Sequence, residues 1–249
     1  MSKRKRIWGW FFYDWACQPF YTLMLTFFFA PYFATVAADY FIASGMETEV
    51  SKAKAQTMWS ICLSASGLFI GISAPILGAI ADTSGRRMPW IYVFSIMLIL
   101  GALGTWVGVP DGSNLTLMLY FFALGYIGTE FALIFTNAQL TTLGSQSEIG
   151  KISGSGFGFG YLGGVFALAI ALLFLVEQPN GKTFMLEIEP LFGFLDPEQM
   201  EGTRFVGPLA AIWFVIFAIP YFRNIKDDPT LLDKINVGKG LRDLVQLLK

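Results

Sequence analysis

The sequence predicts an all-α membrane protein of six transmembrane helices arranged as two inverted three-helix repeats. Three observations carry that expectation. Of the 249 residues, 55% are hydrophobic and only 14% charged, with a mean hydropathy of +0.58, more apolar surface than a water-soluble domain of this size can bury. The apolar residues gather into six stretches close to the length of a spanning helix, about 20 residues. The basic residues then distribute between the loops so as to orient those spans.

The stretches run roughly over 10–38, 56–80, 89–108, 115–138, 153–176 and 204–222, separated by polar or turn-forming pieces such as SGMETEVSKAKAQ, ADTSGRR, VPDGSN and GSQSEIGK. The N-terminal MSKRKRIWGWFF is basic and then apolar, without the small-residue cleavage site of a removable signal, so span 1 is expected to stay in the mature protein. With both termini cytoplasmic, 13 of the 17 Lys and Arg fall inside; Lys52, Lys54, Lys182 and Arg204 fall outside. The 177–202 loop, six acids against one Lys, is then external. Trp8, Trp10, Tyr13 and Trp15 are expected to form an aromatic belt at the inner interface.

The spans differ in what they carry. In span 1, Asp14, Gln18, Tyr21 and Thr22 share a face at i, i+4, i+7 and i+8, and in span 4 Glu130 and Asn137 share one at i, i+7. Spans 2 and 5 are rich in small residues: Ser60, Ser64, Gly67, Gly71, Ala74 and Gly78 in the first, a glycine ladder in the second. Spans 3 and 6 are almost wholly apolar. Polar, small, apolar, twice over, with span 1 starting inside and span 4 outside, is the inverted-repeat logic of secondary transporters.

An ionisable side chain facing hydrocarbon costs at least about 2.5 kcal/mol, so spans 1 and 4 are expected to line a water-filled path and spans 3 and 6 to face lipid. Glu130 is the sharpest candidate for the substrate path or ion coupling, because a lone acid in an uncharged span needs a proton, a cation or a partner; a structural carboxyl is the competing explanation. Asp14, Gln18, Tyr21 and Asn137 are the further candidates. Near the start of span 1 the helix dipole explains Asp14 equally well.

The glycines of span 5 invite a second reading. Gly158, Gly160 and Gly163 spell G-x-G-x-x-G, with Glu177 at about the distance of a ribose-binding acid. A dinucleotide turn follows an apolar strand, however, and here a polar loop precedes the glycines and Phe157 to Val176 is twenty residues without a charge. The informative spacing is Gly156, Gly160 and Gly164 at i+4, continued by Ala167 and Ala171, a flat helix face suited to close packing. No cofactor is expected. The absence of His and the isolation of Cys17 and Cys62 exclude the usual zinc clusters and a disulfide framework. No clustered catalytic set suggests an enzyme, and a net charge of −1 predicts no nucleic-acid partner.

Between spans 2 and 3 the chain reads GAIADTSGRRMPW. Gly78, Asp82, Gly85, Arg86 and Arg87 resemble the signature G-x-x-x-D-x-x-G-R-[RK] of the major facilitator superfamily, in the loop where that family carries it. YDWACQPF in span 1 and ISGSGFGFGYLGGVFALAI in span 5 look like the vacuole-effluxer branch, whose members read Y-D-W-A and S-G-x-G-x-x-x-G-Y-x-G-G there. Thr83 departs from the basic residue of many members, and Cys17-Gln18-Pro19 from the small residues of relatives.

The resemblance implies that Asp82 caps the following helix and, with Arg86 and Arg87, gates the cytoplasmic interface of two six-helix halves. It implies a transporter that moves a small polar solute by alternating access; a fungal member of the branch exports amino acids from the vacuole. The membrane would be a cell (inner) membrane, or the vacuolar membrane in a fungus. A complete member has twelve helices, so the expectation is an N-terminal half: residues 1–223 as the bundle, 224–249 as a cytoplasmic linker entering an amphipathic helix. Its partners would be the bilayer, the solute, and either a missing C-terminal six-helix half or a second copy, met by spans 2 and 5. The alternative function is a non-transporting membrane scaffold or receptor.

Overall fold

The computed structural model describes residues 2–227; most of the expected linker, with its amphipathic start, lies outside the described residues. Among the described residues six apolar helical spans form, Lys3–Ala43, Thr48–Ser84, Met88–Val107, Leu115–Thr142, Gln146–Phe174 and Glu201–Asn224. Among the described residues the only extended pairing is an isolated bridge between Glu177 and Thr183. Lys3 reaches Glu148, Arg6 reaches Thr142 and Asp227 reaches Arg87, so both ends of the described chain lie at one end of the bundle. Span 1 starts at that terminus-bearing end and span 4 at the far end, which inverts one triplet relative to the other.

Several spans are longer or more broken than hydropathy suggests. Span 1 comprises α1 (Lys3–Pro19), a π-helical segment (Phe20–Phe27) and α2 (Phe29–Ala43). Pro19 carries no N–H for the helical ladder; the chain rewinds beyond it, with Phe28 N–H bonding to Leu23 O at 3.0 Å. Such wide turns sit often at functional sites because they re-aim side chains. Helix α3 (Thr48–Ser84) has 37 residues, about 55 Å at 1.5 Å per residue against a hydrocarbon core of about 30 Å. Most of SGMETEVSKAKAQ, expected as a loop, is therefore helix that outruns the membrane; a backbone ladder does not stop where apolarity does. Gly85, left-handed at φ +63°, ends it. The GSQSEIGK loop likewise enters α6 (Gln146–Phe174) at Gln146, where Ser145 and Glu148 form a capping box.

Spans 3 and 6, expected to face lipid, present an apolar outward face, Val93, Ile96 and Leu100 on one and Ile212, Val215 and Ile216 on the other, while their opposite faces pack closely into the bundle. Helix α4 (Met88–Gly104) lies backbone to backbone on α5 (Leu115–Ala138): a Cβ on Gly101 would collide with Gly125, and one on Gly128 would sit 2.6 Å from Leu98 N. Span 6 is α7 (Glu201–Arg204), α8 (Val206–Phe217) and α9 (Ile219–Asn224), and Gly207 presses on Ala102 O at 2.5 Å by the same measure. In the most apolar stretches of spans 3 and 6, 39% and 50% of residues are buried, against 28% in span 5 and 6% in span 2. Composition cannot distinguish these roles, since lipid tails and neighbouring helices are equally apolar. The outward face of α3 likewise presents Ile61, Leu68, Phe69 and Ile72, with open space beside Gly67, Gly71 and Gly78.

Candidate functional site

Helix α6 is laid against α1 by its glycines. A Cβ on Gly156 would meet the Trp10 ring, one on Gly160 would lie 2.6 Å from Asp14 Cγ, one on Gly163 would lie 2.7 Å from Trp15 O, and one on Gly164 would meet the Thr22 hydroxyl. The Gly156, Gly160, Gly164 face is thus a packing face, but its partner is span 1 of the same chain and not a second six-helix unit. The small residues are needed because α1 brings Trp10, Asp14 and Trp15 to the contact. Along the other edge, Gly150, Gly154 and Gly158 face open space.

Beside that contact a cleft of about 820 Å³ opens between α1 with its π segment, α5 and α6. Asp14, Gln18, Tyr21 and Asn137 all line it. Glu130 stands behind Tyr21, whose hydroxyl donates to Glu130 Oε1 at 2.8 Å, so spans 1 and 4 meet through a polar pair. Gln18 Nε2 donates to Asp14 Oδ1 at 3.5 Å, and Asp14 Oδ2 is buried without a hydrogen-bond partner. Because α1 starts at Lys3, Asp14 lies about three turns inside the helix, beyond the reach of the N-terminal dipole. The dipole explanation of this acid therefore falls away.

The aromatic belt is corrected as well. Tyr13 is fully buried with its hydroxyl 2.8 Å from Ser95 Oγ, and Trp10 is buried with its indole N–H donating to Thr136 O at 3.0 Å. Trp15 stacks on Trp213; only Trp8 of the four is exposed. A Tyr or Trp with a partner for its polar tip is as stable in a core as at an interface, and sequence position does not separate the two.

At the terminus-bearing end the signature loop forms a different network from the one expected. Asp82 pairs with Arg87 at 2.7 Å, and Arg87 Nη1 donates to Ala138 O at 3.2 Å. Asp82 does not cap the next helix. That role falls to Asp227, which accepts the backbone N–H of Arg87 and of Met88, each at 3.1 Å, where an anion also meets the positive end of the helix dipole. Arg86 bonds through its backbone N–H to Ser84 Oγ at 3.3 Å, Gly85 makes the turn, and Gly78 lies within α3 facing open space. Arg6, Asp82, Arg87, Gln139 and Asp227 line a second cavity of about 390 Å³. Asp227 was not legible, since 139 residues separate it from Met88; the clue was an acid just past the last span.

The far end holds another feature that sequence reasoning missed. Arg204 is buried in span 6, donating to Trp106 O at 2.7 Å and Gln199 O at 3.3 Å, with its guanidinium 4.6 Å from the Trp106 ring centre. Beside it Glu177 Oε2 accepts the Thr203 N–H at 2.9 Å. Burial pushes the Glu177 carboxyl above its ordinary value, opposed by hydrogen bonds that include the one from Thr203.

An all-α bundle with inverted triplets and a polar cleft between its first, fourth and fifth spans has the build of a membrane transport unit. Comparison with known proteins agrees. The chain is 24% identical over 220 residues to the uncharacterized MFS-type transporter YxiO of Bacillus subtilis (strain 168), covering 87% of this chain and 46% of that relative. The likeness supports the major facilitator superfamily and a membrane transporter; the chain spans less than half the length of the relative it matches. No family model and no solved structure matches the chain.

Proposed function

We propose that this chain is one six-helix unit of a secondary transporter that moves a small polar solute, amino acids foremost, by alternating access. The observation that carries the reading is the Tyr21 to Glu130 hydrogen bond beside the cleft. It joins the first helices of the two inverted repeats through a donor and an acid that a solute, cation or proton can compete for. The acidic and amide groups of span 1 lie in the same cleft. Asp82, Gly85, Arg86 and Arg87 with Asp227 form the gating network at the end that the positive-inside distribution makes cytoplasmic. A second six-helix unit, from a longer chain or a second copy, would cover the apolar outward face of α3 and the open edge of α6; the greater length of the relative supports this.

The test is flux in proteoliposomes that hold the chain with a completing six-helix unit, and in others that hold the chain alone as a dimer. Saturable uptake of labelled amino acids that is lost in Glu130→Gln is the expected result. Correctly folded protein that moves no solute in either arrangement would favour a membrane scaffold or receptor instead.

A further inference from the structure

The charge of the cleft is one-sided. Of its lining side chains Asp14 is the one carboxylic acid, and none is Lys or Arg. Two acids at the terminus-bearing end meet bases, Asp82 with Arg87 and Glu148 with Lys3. Asp14 has no basic partner among the described residues: its Oδ1 takes only the long 3.5 Å contact from Gln18, and its Oδ2 is packed under Gly160 with no partner. Glu130 adds a second acid directly behind Tyr21. An uncompensated carboxylate at membrane depth is expensive unless a cation completes it.

The remaining lining suits an organic cation in particular. Trp10, Tyr21, Phe157 and Tyr161 line the same cleft, and aromatic faces attract ammonium groups while offering nothing to an anion. Leu133 and Val165 supply apolar wall for a hydrophobic body. The volume of about 820 Å³ falls within the range of small-molecule sites. Gly160 matters here too, because it lets α6 pack directly on Oδ2 of Asp14.

Resting on the transporter reading, we infer that the cleft recognises the ammonium end of its solute, with Asp14 as the counter-ion and the aromatic side chains around it. Solutes bearing an amine or quaternary ammonium are favoured, zwitterions bind with their carboxylate turned away from Asp14, and simple anions are rejected.

The test is binding to the purified full chain in detergent near neutral pH, followed by Trp fluorescence and by competition, with three probes of like size: phenethylamine, phenylalanine and hydrocinnamate. Saturable binding is expected in that order, with the amine about tenfold or more tighter than the anion, and Asp14→Asn erasing most of that gap. Tyr161→Leu is expected to weaken the amine severalfold at unchanged circular dichroism. Should Asp14→Asn fail to fold, the wild-type order of the three probes and the Tyr161→Leu result decide the matter. Hydrocinnamate binding as tightly as phenethylamine, or no member of the series binding to folded protein, overturns the inference. Asp14-dependent amine binding without flux in proteoliposomes would keep this subsite and remove the transport reading; flux of anions indifferent to Asp14 would do the reverse.

Discussion

Gly160 of α6 faces Asp14 of α1 so closely that a methyl group on the glycine would lie 2.6 Å from Asp14 Cγ. The glycine face therefore belongs to the core of this six-helix unit. Gly160→Leu should destabilise the chain by itself, by about 1–3 kcal/mol for an overpacked contact, whether or not a second unit is present. Gly158→Leu, on the open edge, should leave the unfolding temperature in detergent unchanged. Equal behaviour of the two variants would contradict the helix pairing.

The proposed contact with a second six-helix unit includes the outward face of α3. Gly71→Leu enters open space and should change the stability of the isolated chain by less than about 0.5 kcal/mol. It should, however, weaken association with a completing six-helix unit, measured by energy transfer between labelled units in vesicles. Undiminished association would remove α3 from the contact.

Tyr21 and Glu130 should separate structure from transport. Tyr21→Phe deletes the donor to Glu130 and should cost about 0.5–3 kcal/mol, lowering both unfolding temperature and flux. Glu130→Gln keeps an oxygen that accepts from Tyr21, so the fold should hold while flux is lost. Wild-type flux in Glu130→Gln would make this carboxyl structural.

Asp227→Ala should destabilise the terminus-bearing end by about 0.5–2 kcal/mol, the range for loss of a helix cap. Asp82→Ala removes a pair whose carboxylate is exposed and should cost less, about 0–1 kcal/mol. Thermal unfolding and limited proteolysis of the two variants side by side would show the order; the reverse order would return the capping role to Asp82.

Glu177 should tie stability to pH at the far end. Its carboxyl is held above the ordinary value mainly by burial, so the native state binds the proton more tightly than the unfolded chain. Stability should then fall as pH rises from the unfolded value, about 4.3, through the raised native one. Glu177→Gln should flatten that slope, as followed by unfolding temperature across acidic pH; an unchanged slope would assign it to another group.

What the sequence determined by itself was everything that depends on one helix at a time. The existence of six spans, the inverted character of the two triplets and the shared face of Asp14, Gln18, Tyr21 and Thr22 follow from hydropathy and helical periodicity, which are local properties of the chain. The tertiary structure decided every question of partnership. It set Gly156, Gly160 and Gly164 against α1, put Trp10 and Tyr13 in the core instead of a belt, and chose which face of spans 3 and 6 packs inward. It also gave the cap of α4 to Asp227 and brought Tyr21 to Glu130, which lie 109 residues apart. In a bilayer an apolar or small-residue face fits lipid, a neighbouring helix or a second unit equally well, so its composition cannot choose among them. The choice is made by the shapes and unpaired polar groups of whichever helices the loops bring alongside.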